Sequence, residues 1–123
     1  MKMSDELTKR IIGAAIEVHR ALGPGLLESI YEEALCLELQ FQGIAVQRQV
    51  EIDVIYKGHV IKGQRLDLLV EEAVVVEIKA VTKLAEVATA QVLSYLKATS
   101  LKRGLLINFG ELRLVDGIKR ISL

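Results

Sequence analysis

The chain has 123 residues, 51% of them hydrophobic, enough for one domain with a single core and too few for two ordinary ones. Sixteen basic residues balance sixteen acidic ones, so no bulk electrostatic attraction to nucleic acid is expected, and any such affinity must come from local patches. The single cysteine, Cys36, excludes a disulfide framework and fits a reducing compartment. No apolar run reaches the ~18 residues of a membrane span, and the polar opening Met-Lys-Met-Ser-Asp-Glu lacks a signal core, so a soluble cytoplasmic protein without membrane contact is expected.

In chain order, Ser4 or Asp5 is placed to cap a first helix whose apolar face is Leu7, Ile11, Ala14, Ala15, Val18 and Leu22. Gly23-Pro24-Gly25 ends it. A second helix is expected from about Leu26, burying Leu27, Ile30, Tyr31, Ala34, Leu35 and Leu39 or Phe41, with Gly43 as its C-terminal cap. The period then changes to two, and residues 46–56 read as a half-solvated strand that leaves through a turn at Lys57-Gly58-His59. Extended structure resumes at Val60–Lys62, and Gly63 permits a bend or bulge. Thr82 is the expected cap of a third helix carrying Leu84, Ala85, Ala88, Val92, Tyr95 and Leu96. A short apolar strand, Arg103 to Phe109, follows, then a small hairpin of Leu112–Val115 and Ile118–Ile121 around Asp116-Gly117. This order predicts the α/β (α+β) class: one domain spanning residues 1–123, with a central mixed β-sheet flanked by helices.

Residues 65 to 79 are the most informative stretch. A turn centred on Glu72 sets Val70 opposite Val74, Asp67 opposite Glu77 and Arg65 opposite Lys79. Opposed residues share a sheet face and neighbours alternate, so Arg65, Asp67, Glu77 and Lys79 fall on one side. Leu66, Leu68, Val70, Val74, Val76 and Ile78 take the other, while Leu69 and Val75 extend the first side inward. Two adjacent carboxylates are costly in repulsion and desolvation unless a cation lies between them. A hard divalent ion, Mg²⁺ or Mn²⁺, suits Asp67 and Glu77, with the backbone carbonyl of Ile78 as a third oxygen and phosphate oxygens completing the shell. Lys79 is placed to orient an attacking water and to steady charge developing on a phosphate. Together these parts suit phosphodiester hydrolysis.

Asp67, a nine-residue gap and Glu77-Ile78-Lys79 at the end of an apolar strand resemble the PD-(D/E)XK nuclease signature, with Leu66 where the motif has proline. Gly25-Leu-Leu-Glu28-Ser-Ile-Tyr31 matches the motif of the GxxExxY family within that superfamily, and the similarity runs from about Leu7 to Leu123. The resemblance implies a restriction-endonuclease-like core and a Mg²⁺-dependent nuclease with DNA or RNA as partner. It also implies Glu28 as an acidic helper or further metal ligand, and Gln91 with Tyr95 as a pair beside the active site. Tyr31, three residues after Glu28, is expected to point nearly the same way. Arg65, Lys79 and Lys83 are the expected phosphate contacts, and His19 lies near enough in sequence to a helix end to approach the site.

Plainer readings compete. Asp67 with Lys79 and Glu77 with Arg65 would make an ordinary ion-pair cluster. Glu28 would favour the positive end of its helix, Glu32 and Glu33 would be solvated surface, and His19 a satisfied helix-end residue. Lys97, Lys102, Arg103, Arg113, Lys119 and Arg120 form either a stripe along a phosphate backbone or a scatter of solubility charges. At the level of function, the alternatives are a non-catalytic nucleic-acid-binding or assembly module that retains the fold, and an enzyme acting on a small phosphorylated compound. Apolar surface on residues 46–56 and the last hairpin makes a homodimer an expectation.

Overall fold

The structure, a computed structural model, describes residues 2–123, with side chains from Glu6 onward. Helix α1 (Lys2–Leu22) buries Ile11, Ala14, Ala15 and Val18, as its spacing predicts. The cap expected at Ser4 or Asp5 involves side chains outside the described residues. Gly23 and Gly25 have φ of 71° and 108°, and this left-handed backbone turns the chain sharply around Pro24. Helix α2 (Glu28–Phe41) turns Tyr31, Leu35 and Leu39 inward together with Glu32 and Cys36. Leu27, Ile30 and Phe41 are exposed, contrary to expectation for the first two, because the rows 31–35–39 and 32–36 form the inner face.

Among the described residues five strands make one mixed sheet in the order β1-β2-β3-β4-β5. β1 (Val46–Tyr56) and β2 (His59–Val70) form a long antiparallel hairpin. Between the pairs Ile52–Gln64 and Val54–Ile61 the register shifts: Lys62 and Gly63 oppose Asp53 alone, with Gly63 at φ 115°, the bulge its glycine permits. β3 (Val74–Lys79) returns from a turn in which Glu71 and Glu72 both take φ of 53°, so Val70 faces Val74 as the sequence predicts. β3 runs parallel to β4 (Arg103–Asn108), and the crossover this requires contains helix α3 (Val87–Thr99). β5 (Ile118–Ser122) closes the other edge against β4.

The expected hairpin at 112–121 is absent. Leu114–Gly117 is instead a short 3₁₀ turn that drives Leu114 into the core, and β5 pairs with β4 rather than with residues 112–115. Helix α3 begins at Val87, not near Thr82. The fully buried Asn108 amide bonds to both the N–H and the C=O of Val81, at 3.0 and 2.9 Å, and holds the preceding segment out of helix.

Side-chain alternation along β3 and β4 splits the interior into two layers. Val74, Val76, Ile78, Leu105 and Ile107 pack under α1 and α2; Val75 and Leu106 pack under α3 with Val92, Tyr95 and Leu96. Gly104 lets α3 approach closely, since a Cβ there would lie 2.7 Å from Val92. The central mixed sheet flanked by helices that the sequence predicts is therefore present. Among the described residues no helix is long and apolar enough to cross a membrane.

Candidate functional site

The β2–β3 ladder stops at the Leu68–Val76 pair, and both acids stand in the gap beyond it. Where backbone rungs would continue, side chains replace them. Asp67 Oδ2 accepts the Ile78 N–H at 2.9 Å, and Glu77 Oε1 accepts the Asp67 N–H at 3.4 Å. The two carboxylates thus reach across the same opening towards each other's strand, at 8% and 4% exposure. The convergence predicted from the turn at Glu72 is present.

Two extensions of that register are not. Arg65 pairs with Glu51 of β1 rather than facing Lys79, because β2 peels away from β3 at Asp67. Leu66 joins Val75, Val92 and Tyr95 beneath α3, whereas Leu68 packs beneath α1 and α2. The face changes at Asp67. On β1 it changes at the opposing residue, Gln49, with φ 53°: Val46 packs on the α1/α2 side, Val50 and Ile52 on the α3 side. The acids sit where the sheet breaks its own alternation.

Burial pushes Glu77 up to about 8, and the Asp67 charge adds to this; the Lys79 ammonium and the Asp67 N–H oppose it. Asp67 is raised too, first by burial and then by Glu32, against the stabilising N–H of Ile78 and the amide of Gln49. Lys79 Nζ lies 3.7 Å from Glu77 Oε2, and its side chain is half-buried. Neither cross-pairing of the plain ion-pair reading, Asp67 with Lys79 or Glu77 with Arg65, is within bonding distance among the described residues. Arg65 is exposed and reaches the Gln49 carbonyl at 3.4 Å.

Glu32 and Gln49 escape the sequence reading. Glu32 is buried, not solvated: it accepts Arg48 Nε at 3.1 Å and Gln49 Nε2 at 2.9 Å. The same Gln49 amide nitrogen donates to Asp67 Oδ1 at 3.3 Å. An amide NH₂ has two hydrogens, and here each goes to one of two acids that would otherwise repel. The available signal was the spacing of Glu28 and Glu32, i to i+4 on one helical face.

The other expected residues divide. Glu28, in the first turn of α2, is exposed but near enough for Lys79 and Asp67 to act on its titration; desolvation raises it, with Lys79 opposing and Asp67 and Glu32 adding. Among the described residues no group of three or more His, Cys, Asp or Glu side chains gathers to hold a metal. The Tyr95 hydroxyl accepts Gln64 Nε2 at 2.9 Å. Burial pushes its pKa up, and the charges of Glu77 and Asp67 push it further, which puts the hydroxyl in the field of the acids; Gln91 interacts with the same oxygen. Tyr31 is brought elsewhere. Its ring stacks on Phe109 at 4.6 Å, and its hydroxyl donates to the Gly23 carbonyl and accepts the Leu26 N–H at 3.0 Å, so it pins the Gly-Pro-Gly turn from inside the core. His19 also lies apart, bonded through Nε2 to the Glu111 carbonyl oxygen at 2.8 Å.

The donor set fits a hard divalent cation. Two buried carboxylates with raised proton affinity have one half-buried ammonium between them and solvent, and a divalent ion held by one or two carboxylates completes its shell with water and phosphate oxygens.

A search of curated proteins finds no match. The solved structure of SSO0001 is similar, with a TM-score of 0.57 and 24% identity over 76% of this chain and 48% of that one, so this chain spans about half that protein's length. That likeness supports the fold alone. The family model described as PD-(D/E)XK nuclease superfamily matches residues 5–121, a stretch that contains both acids, Lys79 and all five strands but for the last residue of β5. The chain belongs to the PD-(D/E)XK nuclease superfamily.

Proposed function

We propose that this chain is a divalent-metal-dependent nuclease that hydrolyses phosphodiester bonds in nucleic acid, acting as a single domain of the GxxExxY kind on the strength of Gly25, Glu28 and Tyr31. One observation carries the reading: Asp67 and Glu77, at the superfamily's motif spacing, converge in a break of the sheet with Lys79 3.7 Å from Glu77. Asp67, Glu77 and the Ile78 carbonyl would hold Mg²⁺ or Mn²⁺. When bound, such an ion supplies a positive centre for the phosphate oxygens and lowers the proton affinity of a nearby water.

The remaining roles belong to the chain's own groups. Lys79 orients the water that adds to phosphorus and steadies the charge that builds on the non-bridging oxygens as the P–O bond to the leaving group breaks. Gln49 holds Asp67 in place through its side-chain amide. Tyr95, held by Gln64 and Gln91, walls the α3 side of the acids. Glu28 at the rim is placed to contact water, and Arg65 to meet phosphate at the edge of the hairpin.

The test is cleavage of single-stranded, duplex and branched DNA and of RNA in Mg²⁺ or Mn²⁺. Lys79→Ala is expected to lower the rate by about 100-fold or more, and Glu77→Ala to abolish metal-dependent cleavage. Activity that survives both substitutions would come from a contaminant and remove the proposal. Metal binding without cleavage of any of these substrates would instead favour a non-catalytic module.

A further inference from the structure

Between the projecting β1–β2 hairpin and α3 lies an open groove of about 790 Å³, and Lys79 is one of its lining residues. Its walls are mainly aliphatic. Ile52, Val54 and Ile55 line it from the hairpin, and Val87 and Ala98 from the helix. Ile55 and Val87 are 61% and 72% exposed, so this apolar surface faces solvent beside the acids. The charged lining residues are Lys79, Lys97 and Asp53, and Asp53 is already neutralised by Lys62 at 2.6 Å. The groove therefore combines aliphatic wall surface with neutral polar groups at Gln64, Gln91 and Ser94 and with two lysines whose charge Asp53, paired with Lys62, does not cancel.

Duplex nucleic acid turns its base faces inward and presents phosphates, which are met by arrays of Lys and Arg; a chain of zero net charge has no such array in this groove. An unpaired strand presents the opposite surface. Its base faces are apolar and accessible, and a site for them stacks each base between aromatic or, as in this groove, aliphatic side chains, with cations along the backbone. The volume falls within the range of about 300–1,000 Å³ typical of small-ligand sites. That suits bases entered singly.

We infer that this groove binds the bases of single-stranded nucleic acid, with the hairpin and α3 on either side, and leads the adjoining phosphate to Lys79 and the acid pair. The inference rests on the nuclease reading for its substrate, but its binding step does not require cleavage. Lys97 contacts the backbone, and Gln64, Gln91 and Ser94 face the base edges. The bulge at Gly63 bends the hairpin that forms one wall.

The experiment measures fluorescence-anisotropy binding of a labelled single-stranded DNA, a single-stranded RNA of the same sequence and the matching blunt duplex. Wild-type protein is used in EDTA, and Glu77→Gln in Mg²⁺, where one of the two acid charges is removed. Both single strands, or one of them, are expected to bind about tenfold or more tighter than duplex. Ile55→Glu and Val87→Glu, both at exposed positions, are each expected to weaken that binding about fivefold or more, and Leu112→Glu, exposed and outside the groove, to leave it unchanged. Equal duplex binding, no binding of any strand, or single-strand binding untouched by Ile55→Glu and Val87→Glu overturns the inference. So does a dimer, seen by sedimentation, that Ile55→Glu dissociates, since a second copy would then cover the wall. Cleavage of duplex that is insensitive to the groove variants would refute this inference and leave the nuclease reading intact; groove-dependent binding without cleavage would do the reverse.

Discussion

Glu77 carries the clearest electrostatic signature. Its ordinary value of 4.5 is raised to about 8, so between these values the folded chain holds a proton that the unfolded chain has lost. Stability from this group is full below about pH 4.5 and is lost as pH rises through about 8. Thermal denaturation in EDTA is therefore expected to give a Tm that falls from pH 5 to pH 9, with a shallower fall in Glu77→Gln; a slope unchanged by the substitution would contradict this. Gln49 is the second residue-scale case. Gln49→Ala and Gln49→Gly both remove the amide shared by Glu32 and Asp67, and each is expected to lower metal affinity or cleavage by about 10–100-fold, as loss of a ligand's supporting partner generally does. Gln49→Gly should be the more stable of the two, because glycine adopts φ 53° without strain. Equal activity to wild type in both would show that Asp67 needs no such support. The acids were legible in the sequence through the turn at Glu72, but Gln49 was not. Counting the register back from the turn at Lys57-Gly58 sets Gln49 opposite Leu66, and only the extra residue at the Gly63 bulge moves it opposite Asp67.

At the scale of elements, local chemistry predicted what tertiary contacts did not override. The β1 limits, the Gly43 cap at φ 76° and the β2–β3 turn all follow from period, glycine and spacing. The late start of α3 does not, because it depends on Asn108, more than twenty residues downstream, capturing Val81. Asn108 also accepts the Gly110 N–H at 3.0 Å, and Phe109 donates its N–H to the Lys79 carbonyl at 2.8 Å, so the end of β4 fixes the segment that leaves β3. Asn108→Ala would leave buried backbone groups unpaired, at about 1–3 kcal/mol each. A clear drop in Tm is expected, measured by thermal or urea denaturation. Gly110→Ala should be equally damaging, since its Cβ would lie 2.2 Å from the Val81 carbonyl oxygen, and that backbone cannot move without disturbing the Asn108 contacts. Wild-type stability in both variants would show that this clasp does not hold the segment.

At the scale of the molecule, helices cover both faces of the mixed sheet over most of its area, and the β1–β2 hairpin extends beyond them. Alternation along β3 sends Val74, Val76 and Ile78 to one layer and Val75 to the other, which leaves Glu77 as a buried acid in the α3-facing row, opposite Leu106 on β4 and followed by Lys79. A carboxylate in such a row is a standing cost without an ion beside it. The central claim is that Asp67 and Glu77 together hold a divalent cation, and calorimetric titration with Mn²⁺ near pH 7.5 tests it most directly. The account predicts saturable binding in the wild-type chain, accompanied by proton release because the raised carboxylates must ionise, and loss of that binding in Asp67→Ala. No binding in the wild type, or binding that Asp67→Ala leaves unchanged, would contradict it.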